Sequence, residues 1–194
     1  LQADFQPDVE AVLAKADAHS KLLFICSPNN PTGNSMDRAK VRQLIAGFDG
    51  IVVVDEAYID FAEQESCIEL LSEYPNLVVM QTFSKAWGLA AIRLGMAFAS
   101  EEIIQLFNKV KPPYNVNELT QQKALEALNE QHTQEMWVDQ LLSQRKVLQQ
   151  ALTTFDFVEK IHPSDANFLL VKVPDPQELY NFLVIHQIIV RNRS

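Results

Sequence analysis

The sequence predicts an α/β fold, a mostly parallel sheet with helices on both faces, followed by a small α+β unit. Short runs of nearly continuous apolar residues alternate with segments in which apolar residues recur at helical spacing. Strands buried on both faces have this composition, and the alternation is typical of parallel sheets. Beyond residue 135 the pattern changes to one long helix and isolated strands. We therefore assign residues 1–135 to a large domain and residues 136–194 to a small one.

The strands of the large domain are predicted from four apolar runs, and its helices from the segments between them. The runs occupy residues 22–25, 51–54, 77–80 and 94–99. Helical patterns span residues 7–18 and 67–71. Ser35 is expected to cap a further helix that ends near Gly47. Ser100 is followed by two glutamates and should begin another helix, because carboxylates are favourable in a first turn.

The rest of the chain should contain two helices and two strands, at residues 117–128, 133–152, 167–171 and 188–190. In the second of these helices Trp137 shares a helical stripe with three leucines, which predicts a core position for its ring. Asp175, Pro176 and Glu178 are the start signal of one more helix, with the aspartate as N-cap.

Composition restricts the classes of partner and compartment. The 194 residues carry a formal net charge of −9, so we expect no basic surface for nucleic-acid phosphates. No apolar run approaches membrane-spanning length, and the N-terminus lacks the pattern of a secretory signal. Cys26 and Cys67 have neither disulfide-framework nor metal-ligand spacing. We expect a cytoplasmic protein that binds neither nucleic acid, membrane nor metal.

The most informative stretch is T-F-S-K-A-W-G-L-A-A-I-R-L-G, which begins at Thr82 where the third apolar run ends. Lys85, at the end of a buried strand, would be partly desolvated, which favours the neutral and nucleophilic amine. Thr82, Ser84 and Arg93 supply hydroxyls and a guanidinium that suit a phosphate dianion beside that amine. Taken alone, the stretch is also compatible with an ordinary loop that carries a surface lysine and an ion-paired arginine.

Two further motifs follow apolar runs. Asp55 and Tyr58 come directly after the second run in V-V-V-D-E-A-Y, and Asn30 follows the first run in S-P-N-N-P-T-G. A carboxylate can keep a pyridine nitrogen protonated, and a phenol and an amide can donate to a ring oxygen. Each residue alone could instead be a helix cap or a turn residue. Functional residues of parallel sheets gather at the carboxyl ends of strands, so we expect these three to form one site with Lys85.

In this order and spacing, N-N-P-T-G, V-D-E-A-Y and S-K-A-W-G-L-A-A-I-R-L-G resemble the fold-type I pyridoxal-phosphate aminotransferases of classes I and II. Within that group the last two motifs are most similar to the histidinol-phosphate aminotransferase family. The resemblance implies that the chain holds part of the large domain of a PLP-dependent transferase and an incomplete small domain. It also implies pyridoxal 5′-phosphate as the cofactor, an amino donor and a 2-oxo acid as substrates, and a homodimer.

The resemblance implies three catalytic residues and one further contact to the cofactor ring. Lys85 would form the Schiff base, Asp55 would pair with the pyridine nitrogen, and Tyr58 and Asn30 would hydrogen-bond the ring oxygen. All four are expected to bind the cofactor.

The family pattern also implies contacts for the cofactor phosphate and for the substrate. Ser84 and Arg93 would hold the phosphate, with Thr82 a weaker candidate. Arg191 in I-I-V-R-N matches an arginine that faces the substrate's phosphate end, and Asn167 in S-D-A-N-F matches a position near the active site. For these last two residues a strand-end charge and a turn residue remain the alternatives.

The implied activity transfers the amino group of histidinol phosphate to 2-oxoglutarate, giving imidazole acetol phosphate and glutamate in histidine biosynthesis. An aromatic or aspartate aminotransferase, or a threonine-phosphate decarboxylase, would keep the cofactor and change the substrate. A ligand-binding module without turnover is a third alternative, which the intact Lys85, Asp55 and Tyr58 disfavour. The family pattern extends beyond both ends of this chain, so by itself the chain is expected to be inactive.

Overall fold

Four strands form one sheet in the computed structural model, which describes residues 3–194. The strands are β1 (Leu22–Cys26), β2 (Ile51–Asp55), β3 (Leu77–Thr82) and β4 (Gly95–Ala99). They lie side by side in chain order, with β1, β2 and β3 parallel and β4 antiparallel to β3. The predicted mostly parallel sheet is confirmed. The first two residues of the expected 1–135 domain lie outside the described residues.

The first face of the sheet is covered by α1 (Val9–Lys15) and α2 (Arg38–Gly47). Helix α2 buries Val41, Leu44 and Ile45, a spacing that places them on one side of a helix. The strands contribute Ile25, Val52, Val54, Leu77 and Val79 to the same cluster. Alternate strand residues meet one helical stripe here, and this contact forms the largest part of the core.

The second face is covered less completely. Helix α3 (Glu101–Val110) places Ile103 against Val53 and Val78 in a separate buried cluster. Phe24 lies beside Val53 in the sheet register and therefore points to this face. Its side chain is nevertheless 64% exposed, because among residues 3–194 helix α3 covers only the middle of the sheet. Helices lie on both faces, as predicted, but to unequal extents.

The start of α2 corrects one prediction. Asp37 is the N-cap, and its carboxylate accepts a hydrogen bond from the backbone N–H of Lys40 at 3.0 Å. The prediction that Ser35 caps this helix is wrong. The backbone N–H of Ser35 instead donates to the Asp165 carboxylate at 2.8 Å, and this hydrogen bond holds the chain outside the helix at that point. The short helix expected near residue 67 is a 3₁₀ turn, Cys67–Leu70.

The C-terminal part contains three helices and a two-stranded antiparallel sheet. They are α4 (Glu118–Asn129), α5 (Gln131–Leu152), β5 (Lys160–Ile161), β6 (Val171–Lys172) and α6 (Pro176–Ile185). Asp175 caps α6 as predicted, accepting from the Glu178 N–H at 2.8 Å. No helix within residues 3–194 is both long enough and apolar enough to cross a membrane.

Two expected strands are corrected in this part. Of residues 167–171 only the last joins a sheet, and residues 188–190 form no strand among the described residues. Strand structure requires a neighbour that satisfies the backbone groups. Ile189 is 76% exposed and has no such neighbour within residues 3–194.

Helix α5 buries a different stripe from the predicted one. Trp137 and Leu148 are 49% and 53% exposed, so the expectation that Trp137 is a core residue is wrong. The buried residues are Gln134 and Val138. At 100° per residue the midpoint of these two lies about 80° around the helix from Trp137. Polar Gln134 hides this face from a pattern based on apolar residues alone.

A buried carboxylate joins β2 to β3. Glu56 is 2% exposed. It accepts hydrogen bonds from the Ser66 hydroxyl at 2.6 Å, the Cys67 backbone N–H at 2.6 Å and the Gln81 amide at 3.0 Å. Three donors offset the loss of hydration that a buried carboxylate suffers. The segment after β2 and the end of β3 are thereby tied to one side chain.

Replacing this carboxylate should destabilise the fold strongly. Glu56→Ala leaves three donors without an acceptor, and we expect it to lower the free energy of unfolding by about 3 kcal/mol. Urea denaturation of the full-length protein measures this. Glu65→Ala is the matched control. It removes a carboxylate that is 72% exposed and ion-paired with Arg38, and it should cost less than about 1 kcal/mol. Equal losses from the two variants would contradict a structural role for Glu56.

Candidate active site

The loop after β1 is closed by its own hydrogen bonds. The Gly33 N–H donates to the Asn29 carbonyl at 2.7 Å, and the Asn29 N–H donates to the Asn34 carbonyl at 2.9 Å. Gly33 has φ +82°, a left-handed conformation that favours glycine. Within this closed loop Asn30 points its side-chain amide toward Tyr58, and Nδ2 donates to the phenol oxygen at 2.9 Å. The two predicted ring contacts are therefore neighbours.

The segment after β2 carries Asp55 and Tyr58. One oxygen of Asp55 accepts from the Ala57 N–H at 3.0 Å, which orients the carboxylate at the end of the strand. Tyr58 is 7% exposed and packs edge-on against Phe168, with ring centres 5.3 Å apart. Within residues 3–194 the Tyr58 oxygen acts only as an acceptor. Its own proton is therefore available to a ligand.

The segment after β3 carries Thr82, Ser84 and Lys85. The Thr82 hydroxyl accepts from the Ser84 N–H at 3.0 Å and donates to the Leu94 carbonyl at 3.3 Å, so it orders the turn itself. Lys85 places Nζ 5.1 Å from the centre of the Tyr58 ring, within range of a cation–π contact. Its side chain is exposed. The expectation of a partly desolvated amine is therefore wrong for this structure, because the turn carries the side chain beyond the strand end.

Arg93 returns to the same place from the far end of that loop. It has φ +56°, in the left-handed region, and its guanidinium donates to the Ala90 carbonyl at 2.9 Å. A non-glycine residue in this conformation is uncommon and often marks a functional turn. Arg93 directly precedes Leu94 and β4, and it lines the same cavity as Ser84.

A cavity of about 570 Å³ lies where these segments meet. Such a volume is within the range of small-molecule sites, about 300–1,000 Å³. The predicted residues among its lining are Asp55, Thr82, Ser84, Lys85 and Arg93. Asp55 supplies negative charge, while Lys85 and Arg93 supply positive charge. Asn30 and Tyr58 lie beside the cavity and reach it through the contact between Tyr58 and Lys85.

The two expected substrate contacts are exposed. Arg191 follows α6 near the C-terminus, and Asn167 lies in the turn before β6. Neither side chain hydrogen-bonds to any other residue of the described chain. Arg193, which the sequence did not single out, does contact a predicted site residue, and its guanidinium donates to the Asn30 side-chain oxygen at 3.4 Å.

Two further residues next to the site were not predicted from the sequence motifs. Asp165 contacts the loop after β1, and Phe168 packs on Tyr58. Both belong to S-D-A-N-F, from which only Asn167 had been chosen. No local pattern in the sequence indicates that Asp165 meets a residue 130 positions earlier.

The chain matches the family model for aminotransferase class I and II over residues 1–194. The chain belongs to this family. The resemblance inferred from its three motifs is thus confirmed. The class I and II aminotransferases are pyridoxal-phosphate-dependent enzymes.

Two relatives and one solved structure that are similar to this chain are all histidinol-phosphate aminotransferases. The histidinol-phosphate aminotransferase of Cytophaga hutchinsonii is 53% identical over 194 residues, and that of Parabacteroides distasonis is 54% identical over 194 residues. Both alignments cover all of this chain and 56% of the relative. The crystal structure of histidinol-phosphate aminotransferase from Sinorhizobium meliloti in complex with pyridoxal-5′-phosphate matches with TM-score 0.85 and 25% identity, over 97% of this chain and 53% of that one. The chain therefore spans about half the length of the aminotransferases it matches.

The groups around the cavity fit the cofactor of this aminotransferase class. Pyridoxal phosphate presents a basic ring nitrogen, an acidic ring oxygen, an aldehyde and a phosphate. For these four features the residues in and next to the cavity offer a carboxylate, a phenol with an undonated proton, an amine, and hydroxyls together with a guanidinium. The fit rests on the chemistry of these donors and acceptors.

The two thiols should be unreactive in the folded protein. Burial raises the pKa of Cys67 to about 12, with the Glu56 charge adding to the effect. Burial also raises the pKa of Cys26, and the charge of Asp55 acts in the same direction. Since only the thiolate reacts, both residues should be modified by a disulfide reagent at pH 8 far more slowly in the native than in the urea-unfolded protein. Native Cys67 reacting as fast as unfolded Cys67 would contradict its burial.

Proposed function

We propose that this chain forms the cofactor-binding part of an aminotransferase that moves the amino group of histidinol phosphate to 2-oxoglutarate. The observation that carries the proposal is that Asp55 and Lys85 line one cavity at the carboxyl ends of the parallel strands, with the Tyr58 ring in contact with Lys85. The substrate assignment is supported by whole-chain identities of 53% and 54% to two histidinol-phosphate aminotransferases. The products would be imidazole acetol phosphate and glutamate.

Four residues would hold the ring and the aldehyde carbon of pyridoxal phosphate. Asp55 would accept a hydrogen bond from the protonated pyridine nitrogen, since its carboxylate lines the cavity and has one oxygen already oriented by Ala57. Tyr58 would donate its free proton to the ring oxygen, with Asn30 fixing the phenol. Lys85 would bind the aldehyde carbon through Nζ.

The phosphate would lie between Ser84 and Arg93. A hydroxyl and a guanidinium that line one cavity suit a dianion, and the guanidinium fork can donate two hydrogen bonds at once. Thr82 contributes chiefly by ordering the Ser84 backbone, because its hydroxyl is already engaged with Ser84 and Leu94.

When bound, pyridoxal phosphate supplies a carbon that condenses with amines and a protonated ring that accepts electrons from the adjacent carbon. Asp55 would keep that ring protonated by placing a negative charge at its nitrogen. Lys85 Nζ would act as the base that takes a proton from the substrate carbon and the acid that gives it back. Exposure of Lys85 at the mouth of the cavity leaves it room to make this exchange.

Arg191 and Asn167 are proposed to meet the substrate. Both side chains are exposed and make no hydrogen bond within the described residues, so a guanidinium and an amide are free to bind a phosphate or a carboxylate. Arg191 is the better suited to the phosphate of histidinol phosphate because it carries the charge.

The assembly proposed for the full protein is a cytoplasmic homodimer in which residues 1–135 belong to a large domain and residues 136–194 begin a small one. Helix α5 crosses the boundary, and its Val138 packs with Tyr58 and Ala86 near the site. Movement of the small domain would therefore change the packing around Tyr58, next to Lys85.

Lys85 should be indispensable for activity but not for folding. The full-length protein mixed with pyridoxal phosphate and reduced with borohydride should carry the cofactor on the Lys85 peptide. Lys85→Ala should lose this adduct and reduce transamination of histidinol phosphate at least about a thousandfold, with an unchanged denaturation midpoint. Lys111→Ala is the control, because Lys111 lies after α3, outside the cavity. Normal turnover by the Lys85 variant would overturn the mechanism, and turnover of tyrosine or aspartate in preference to histidinol phosphate would overturn the substrate assignment.

Asp55→Asn should separate the charge of this residue from its shape. The amide has nearly the same volume but cannot stabilise a protonated ring nitrogen, so we expect the rate to fall by about 10²–10³-fold and the cofactor to be retained more weakly. Steady-state kinetics and the equilibrium binding of pyridoxal phosphate measure the two effects. An unaffected rate would remove Asp55 from this role.

A further inference from the structure

One turn of the C-terminal part, formed by residues 164–168 and called the 164–168 turn, lies directly against the loop that carries Asn30. The backbone N–H of Asp165 donates to the Gly33 carbonyl at 2.7 Å, and its carboxylate accepts from the Ser35 N–H at 2.8 Å. A single residue thus binds the chain on both sides of Asn34. The second of these bonds has a charged acceptor and is of the stronger kind.

The 164–168 turn is itself firmly held. The Ser164 hydroxyl donates to the Phe168 carbonyl at 2.6 Å and accepts from the Ala166 N–H at 3.1 Å. The guanidinium of Arg145, on α5, donates to the Ala166 carbonyl, and Ala166 is fully buried. The turn is anchored to a long helix and can act as a fixed support.

Glycine at position 33 allows the two segments to approach this closely. A Cβ atom added there would lie 2.8 Å from the Ser164 hydroxyl oxygen, which is closer than real Cβ contacts. Gly33 also closes the loop by donating to the Asn29 carbonyl at 2.7 Å. Asn30 lies between these two positions, so its location depends on where Asp165 holds Gly33 and Ser35.

We propose that Asp165 is a positioning residue that holds the Asn30 amide at hydrogen-bond distance from the Tyr58 hydroxyl. The same turn supports the other partner, since Phe168 packs on the Tyr58 ring and Ala166 belongs to the cluster around it. The 164–168 turn thereby sets both members of the Asn30–Tyr58 pair. The effect of Asp165 on a bound cofactor rests on the function proposed above, whereas its effect on the loop that carries Asn30 does not.

Loss of this support has a defined consequence for the cofactor. A ring oxygen that receives weaker hydrogen bonds keeps more negative charge. That charge stabilises a proton bound next to the oxygen and so raises the pKa of this proton. The pH midpoint of the visible absorbance change of the bound cofactor should therefore rise. One weakened hydrogen bond corresponds to about half to one pH unit.

The test uses the full-length protein loaded with pyridoxal phosphate. Asp165→Ala should raise the absorbance midpoint by about half to one pH unit and weaken cofactor binding about tenfold. Asp175→Ala is the matched control, because Asp175 also accepts a backbone N–H at 2.8 Å but caps α6, away from the loop. It should leave the midpoint unchanged. In an Asn30→Ala background Asp165→Ala should add no further shift, since the two residues act through one contact.

Amide hydrogen exchange provides a readout that does not depend on the cofactor. Peptides covering residues 29–35 should exchange faster in Asp165→Ala than in Asp175→Ala. If Asp165→Ala does not fold, Asp165→Asn replaces it, and its neutral acceptor should give a smaller shift of the same sign. An unchanged midpoint and unchanged exchange, or an equal shift in the Asn30→Ala background, would overturn the role of Asp165. A wild-type protein that takes up no cofactor while the exchange difference persists would overturn the proposed function and leave the role of Asp165 supported.

Discussion

The parallel pairing of β1, β2 and β3 is the constraint on which the site depends. The register sets Cys26 beside Asp55 and Asp55 beside Met80, so β1 and β2 end level with each other and β3 extends two residues further. The ladder continues past the strand ends, with the Ser27 N–H donating to the Asp55 carbonyl and the Glu56 N–H to the Met80 carbonyl. Each loop therefore leaves the sheet from a fixed height and direction. The meeting of Asn30, Tyr58 and Lys85 follows from backbone hydrogen bonding before any of their side chains interact.

Support from outside the sheet then determines how firmly these residues are held. Tyr58 packs in a cluster with Ala86, Val138 and Ala166, which come from three separate parts of the sequence. A phenol surrounded in this way keeps its orientation without a large number of hydrogen bonds, because close packing leaves its ring few alternatives. Lys85 has the opposite environment, being exposed at the cavity mouth and in contact with the face of that ring. A closely packed phenol thus lies beside an exposed amine.

The sequence predicted the sheet, and it predicted that the motif residues lie near one another at the strand ends, because both depend on local patterns. Apolar runs identify buried strands, and motifs directly after them identify what stands at their ends. It failed where the decisive partner is distant. Ser35 resembles a helix cap, but its backbone N–H donates to the Asp165 carboxylate. Trp137 resembles a core residue, but the buried stripe of α5 is organised around Gln134, whose side chain donates to Asp60 at 3.3 Å. Polar pairings of this kind leave no periodic signal.

Asp55 and Glu56 are adjacent carboxylates with opposite surroundings, the first lining the cavity and the second buried among Ser66, Cys67 and Gln81. The pleat of β2 causes this, because successive side chains point to opposite faces. A single residue gained or lost within β2 would exchange the two environments and bury the acid that should face the ligand. A change of length in the connections between strands and helices has no such effect on the pleat. The number of residues in β2 therefore matters to the cavity as much as their identity.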